Sequence, residues 1–287
     1  MIVSYITPPS ANAEPFYPMM EKKGVKVYFN SIHPDCDFII STMPTGYFHL
    51  LKMFHETFPE KPIIIYLWDM YKTIHKPPFK YDWQAHIDIL HKAKEIWCPS
   101  NEVIKRVAEE GVDNSKCKLI KTWARFFDYD GEIVDKRYIL QPLRAYTNDK
   151  NYGWLKKAAE ELNIPVFESK NRLSEEEFQR AIAECSFMCC EYHETSTGGL
   201  TLIEGYNLGK VSVVSDSPYE GVRDYLGDKA IYFNDDSYED FKSVIKETWE
   251  NTPVPDLQEC REFCRNHPSL DDMVDAMVKR LYALSEE

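Results

Sequence analysis

The chain has 287 residues, of which 44% are hydrophobic and 28% charged, and its formal net charge is −13. That length is more than one ordinary core fills and fits two domains, and the composition is globular rather than disordered or collagen-like. No apolar run approaches the roughly 20 residues that a membrane-spanning helix needs, and residues 1–7 read as a strand with no basic segment ahead of them, so the expected location is the cytoplasm or the periphery of a membrane.

The acidity is uneven. Up to Phe127 there are sixteen Lys/Arg against fourteen Asp/Glu, and from Asp128 onward eighteen against thirty-three. The second half would repel a polyanion outside a specific pocket; the first is near neutral. The eight cysteines have no Cys-x-x-Cys spacing and read as reduced core residues.

In chain order, residues 2–6 read as a strand, 14–22 as a helix, 25–29 and 37–41 as strands, and 47–58 as a helix. Residues 62–67 are a continuous apolar run, the mark of a strand buried on both faces. A helix at 87–93, a strand at 95–98, a helix at 102–110 capped by Ser100 and stopped by Gly111, and a strand at 118–122 complete the pattern. Strands alternating with helices predict a mostly parallel, doubly wound sheet. The first domain is therefore placed at 1–127, and an acidic, irregular linker at 128–137.

The second domain, 138–287, opens with a strand at 138–144. A helix at 152–162, a strand at 164–167 and a helix at 175–184 with a Ser174/Glu177 capping box follow. Beyond the central unit come a helix near Val222, a strand at 230–233, a helix at 238–249, and a final amphipathic helix marked by Ser269 and Asp272. The apolar stripe of that last helix is free to pack back on the first domain.

The stretch 186–216 carries the chemistry. An apolar strand at 187–190 runs into a polar turn containing Gly198 and Gly199, then a helix at 200–208 stopped by Gly209, then a strand at 211–214 ending in Ser215-Asp216. This is a βαβ unit, whose first loop opens at the carboxyl edge of the sheet. Two glycines let the backbone approach a ligand closely, and a helix start at Leu200 and Thr201 offers free N–H groups to a phosphate. Glu204 lies one turn further on. The plainer reading is a tight turn followed by a solvated glutamate.

The segment resembles the donor-site signature of retaining GT-B glycosyltransferases of family four, the group 1 glycosyl transferases. Gly199-Leu200 match its Gly-Leu, Glu204 its second glutamate, Gly209 its later glycine, and Ser215-Asp216 its end. At the first-glutamate position this chain has Ser196 counted without gaps, with Glu194 two residues earlier. Gly198 stands for an aromatic and Thr201 for a proline. Residues 95–122 resemble the segment that ends the family's first domain.

The same resemblance gives Arg144 and Lys150 a role. Two cations beside the loop after a domain's first strand can neutralise a diphosphate, Arg as a fork and Lys as a point charge. In the family, such a pair faces the donor diphosphate. Residues 66–86 interleave Lys72, Lys76 and Lys80 with Trp68, Tyr71, Phe79, Tyr81 and Trp83. Aromatics anchoring a loop while lysines face water is the simple account; an acceptor site is the functional one. Trp68-Asp69 match a His-Asp pair in many family members, which makes Asp69 the acceptor-side candidate for orienting or deprotonating a hydroxyl. His193 is a weaker candidate beside the donor turn.

The resemblance thus implies two Rossmann-like domains facing each other across a cleft, and transfer of a sugar from a UDP- or GDP-sugar to an acceptor hydroxyl. It implies retention of configuration and no metal; the nucleotide-sugar is a co-substrate and no cofactor is expected. Glu194 or Ser196 would touch the diphosphate or sugar, with Glu194 and Asp69 the catalytic candidates, and Glu204 would hold the ribose. The acceptor stays open among a glycan, a lipid-linked sugar, a small molecule and modified nucleic acid. Two alternatives stand beside this: a nucleotide-sugar-binding protein with impaired catalysis, because of Ser196, and a glycosyltransferase acting on hydroxylated DNA bases, because of the basic aromatic loop. Overall acidity weighs against the latter.

Overall fold

Short runs rich in apolar residues become parallel strands, and the amphipathic segments between them become the helices that cover both faces. The computed structural model describes residues 1–7, 16–43, 48–67, 83–124, 129–142, 152–168, 173–191, 200–216, 222–234 and 236–287. The chain divides into two units, one of Met1–Trp123 with Pro268–Glu287, the other of Ala124–His267.

The first unit runs β1 (Ile2–Ile6), α1 (Phe16–Lys22), β2 (Lys26–Phe29), β3 (Phe38–Met43), α2 (Phe48–Thr57), β4 (Ile63–Leu67), α3 (Trp83–Lys92), β5 (Glu95–Cys98), α4 (Asn101–Glu109) and β6 (Cys117–Leu119). The second runs β7 (Ile139–Gln141), α5 (Tyr152–Leu162), β8 (Val166–Glu168), α6 (Glu175–Glu184), β9 (Phe187–Cys190), α7 (Leu200–Asn207), β10 (Ser212–Ser215), α8 (Val222–Leu226), β11 (Ile231–Phe233), α9 (Tyr238–Glu250) and α10 (Leu257–Arg265). The last helix, α11 (Leu270–Glu286), belongs to the first unit.

The first sheet has the order β2-β1-β3-β4-β5-β6 and the second β11-β10-β9-β7-β8. Among the described residues every strand pairing is parallel. Alternation along the strands divides each core in two. In the first unit Ile63, Ile65 and Leu67 pack with α2, α3 and α4, while Ile64, Tyr66 and Trp97 pack with α1 and α11. In the second, Leu140, Met188 and Val214 face α6, α7, α8 and α10, while Ile139, Phe187 and Val213 face α5 and α9.

Caps sit where the sequence places them. Ser100 caps α4, and Ser174 and Ser269 form reciprocal capping boxes with Glu177 and Asp272. All eight cysteines are buried thiols outside any disulfide. The chain passes from one unit to the other at Trp123/Ala124, and the acidic stretch beyond is fastened to the second unit. The Val134 and Lys136 amides donate to the Ala183 and Glu184 carbonyls. Lys210 Nζ donates to Cys185 O at 2.7 Å, at the end of α6, and to Val134 O at 3.1 Å, which ties the acidic stretch to that helix end. Burial lowers the Lys210 pKa and pushes the neighbouring Cys185 thiol up to about 12.

Candidate functional site

In the second sheet the strand order reverses between β7 and β9, because β8 lies outside β7 and β10 outside β9. Ligands of doubly wound sheets bind at the carboxyl ends of strands at such a reversal. Gln141 ends β7 there, and Glu191 directly follows β9. Both are buried, at 4% and 1% exposure.

Glu191 is held by the start of α5. Its Oε2 accepts the Trp154 amide at 3.1 Å and its Oε1 the Leu155 amide at 2.5 Å. These amides belong to the first turn of a helix, where N–H groups have no partner within the helix. A carboxylate is stabilised there by charge-assisted bonds and by the helix dipole. On β9 itself, burial and the charge of Glu191 push the Cys189 thiol well up, so that thiol is inert core.

The next element is α7, set against β9 and β10. Gly209 ends it at φ +72°, the left-handed conformation that glycine adopts without strain. Leu202, Ile203 and Tyr206 enter the core, and the Cys264 thiol of α10 donates to Ile203 O at 3.5 Å. Glu204 is 1% exposed, so the solvated reading of this residue does not describe it. Thr201 is half-buried. Beyond β10, Asp216 accepts Nε and Nη2 of Arg223 at 2.8 and 2.6 Å, and that guanidinium lies 3.9 Å over the Tyr232 ring.

Of the residues singled out in the sequence, Thr201 and Glu204 lie on α7 and Leu200 begins it. Arg144 and Lys150 lie outside the described residues, as do His193, Glu194, Ser196, Gly198 and Gly199, and on the first unit Trp68 and Asp69. Glu191, Gln141 and Gly205 were not singled out. Nothing in the sequence around Glu191 marks it; its amide partners come from α5, thirty-odd positions earlier in the chain.

The first sheet reverses between β1 and β3. There the buried Tyr5 and Thr42 hydroxyls are 2.7 Å apart. At the borders of the aromatic-lysine stretch, the aromatics serve as anchors. The Tyr66 hydroxyl donates to Ile120 O at 3.3 Å, and Trp83 donates Nε1 to Glu110 Oε2 at 2.9 Å while stacking on His86. Two Asp-x-Asp triplets occur, 35–37 and 128–130. Asp37 accepts the Ile2 amide at 2.7 Å, at the amino end of β1 and away from the ligand edge. Among the described residues, no group of three or more His, Cys, Asp or Glu is placed to hold a metal ion.

No protein-family model matches the chain and no curated protein matches it in sequence. Solved structures do match in shape. HepE of Anabaena in complex with UDP superposes with a TM-score of 0.67 at 11% identity, over 99% of this chain and 100% of that one. Sucrose-phosphate synthase from Thermosynechococcus elongatus superposes with a TM-score of 0.70 at 10% identity, over 100% and 99%. A glycosyltransferase from Rickettsia africae gives 0.64 at 12%, over 97% and 96%. The fold is GT-B. At this identity the likeness is one of architecture, and chemistry is carried by the site rather than by the fold. Among the described residues no helix is long and apolar enough to cross a membrane.

Proposed function

We propose that this protein transfers a sugar from a nucleotide-sugar to an acceptor hydroxyl, with retention of configuration and without a metal ion. The observation that carries the reading is the placement of Glu204. It is a carboxylate buried on α7, one turn into the helix that leaves the β9 turn, at the family-signature position for the ribose ligand. Burying an ionisable group is costly unless polar groups surround it, so Glu204 sits in a polar pocket of the fold and not on a solvated helix face. HepE, of like fold, has also been solved with UDP-glucose.

In this reading the amides of the first turn of α7, at Leu200 and Thr201, with Gly198 and Gly199 before them, receive the diphosphate. Arg144 and Lys150 neutralise it. Together they stabilise the negative charge that grows on the leaving nucleoside diphosphate, the place where preorganised donors lower a barrier most. Glu204 holds the ribose, Glu194 or Ser196 meets the diphosphate or sugar, and Trp68 with Asp69 serve the acceptor.

A panel of UDP, GDP and their sugars in a thermal-shift assay tests donor binding, because a ligand that binds only the folded state raises its melting temperature by mass action. Release of nucleoside diphosphate from the stabilising sugar donor is then the test of turnover. Ser196 at the ungapped first-glutamate position favours a second reading, a nucleotide-sugar-binding protein of impaired catalysis. That reading expects the thermal shift without nucleotide release.

A further inference from the structure

We propose that Glu191 is the positioning residue of the donor site, a single carboxylate that sets the start of α5 against the end of β9. This rests on the sugar-transfer reading above. A helix start is ordinarily capped by the residue just before it in sequence, which fixes the helix to nothing but itself. Here the acceptor comes from a different strand. Oε1 and Oε2 each take a separate amide, from Leu155 and Trp154. The side chain is 1% exposed, so water does not compete for these bonds.

The connection joins two parts of the chain that the sequence marks for the donor. Lys150 lies two residues before the first residue of α5, and Glu194, the first of the donor candidates Glu194, Ser196, Gly198 and Gly199, lies three residues after Glu191 in the sequence. β7 and β9, the strands from which these two segments leave, are hydrogen-bonded neighbours at the reversal of the sheet. Ile139 and Phe187, partners in register, face the α5 side of the sheet, and by alternation Gln141 and Glu191 share that face. Charge is needed as well as shape. A glutamine would leave one oxygen for two amides and turn an NH2 against an N–H.

The test uses the full chain, with UDP as the probe, in titration calorimetry and amide hydrogen exchange. In the unsubstituted protein, UDP binding should slow exchange at Trp154 and Leu155. Glu191→Gln should speed exchange at these two amides, leave α10 on the other face of the sheet unchanged, and weaken UDP binding about tenfold, the worth of one charge-assisted bond. Glu191→Asp, which keeps the charge, should recover part of the loss. UDP affinity within about twofold of the parent in a folded Glu191→Gln protein, or no change in exchange at the α5 start when UDP binds the parent protein, would overturn the proposal. The second outcome decides it even if neither variant folds. A parent protein that binds neither UDP nor GDP would instead overturn the sugar-transfer reading, and this proposal with it; a parent that binds GDP alone is put through the same measurements with GDP.

Discussion

Gly205 lies so close to Met188 that a β-carbon on it would sit 1.9 Å from Met188 Cε and 2.7 Å from Sδ. Two elements meet at this contact, α7 with Glu204 and the central strand β9. Met188 is fully buried among Leu140, Ile182, Ile203 and Val214. Its methyl end is the far end of a flexible side chain, but in a close-packed interior it shifts only by displacing neighbours.

Gly205→Ala should therefore force α7 away from β9. Overpacking of this kind costs about 1–3 kcal/mol, and the expected fall in melting temperature is on the order of 2–4 °C per kcal/mol for a unit of this size. UDP affinity should fall too, since Glu204 moves with the helix. The paired change Gly205→Ala with Met188→Ala removes the obstructing side chain and should restore affinity more fully than stability. Calorimetric unfolding and UDP titration of the three proteins check this.

The last helix is held on the first unit by a buried ion pair. Arg280 donates Nε to Glu95 Oε1 at 2.8 Å and Nη2 to the same oxygen, while Trp97 donates Nε1 to Glu95 Oε2 at 2.9 Å. The Glu95 side chain is 3% exposed. Arg280→Met strands a buried carboxylate and should cost roughly 3 kcal/mol in denaturant unfolding. Arg280→Met combined with Glu95→Gln should recover most of that, because the stranded charge is gone.

Stability should fall in acid. The Ser269 hydroxyl, then its amide, holds the Asp272 carboxyl below its ordinary 3.8. The Ser174 amide and hydroxyl hold Glu177 below its ordinary 4.5, and Lys242 does the same for Glu161. A folded value below the unfolded one gives a contribution that is complete above the unfolded value and is lost as pH falls through the folded one. Melting temperature should thus be level down to about pH 5 and drop below it. Ser269→Ala should lower the neutral-pH melting temperature and shallow the acid slope. At the alkaline end, Asp275 and Asp271 raise the Lys23 pKa above 10.5. That contribution is complete below 10.5 and is lost only as pH rises through the folded value.

What the sequence reveals follows from which forces are local. The apolar run that becomes β4, the capping boxes of Ser174 and Ser269, and the βαβ unit around Gly209 are written in adjacent residues, and the structure has them within a residue or two. Helix α3 starts at Trp83, four residues before the expected start at Ile87, because Trp83 gains a bond to Glu110 that no local pattern announces. The strand expected at 118–122 is only Cys117–Leu119, since pairing with β5 runs out at Cys98. Glu95 and Glu191 look like surface charges in a linear reading. Their partners, Arg280 and the α5 amides, lie 185 and 36–37 positions away. Glu204, by contrast, stands out in the sequence itself by its place one turn beyond Leu200, and the structure buries it.

UDP titration of the parent protein against Glu204→Ala and Glu204→Gln, with unfolding curves for each, tests most directly whether the α7 carboxylate holds the nucleotide. Loss of a charged hydrogen-bond acceptor for the ribose predicts an affinity at least tenfold weaker in both variants, a deficit of about 1.4 kcal/mol or more. Folded variants that bind UDP as tightly as the parent would contradict the account.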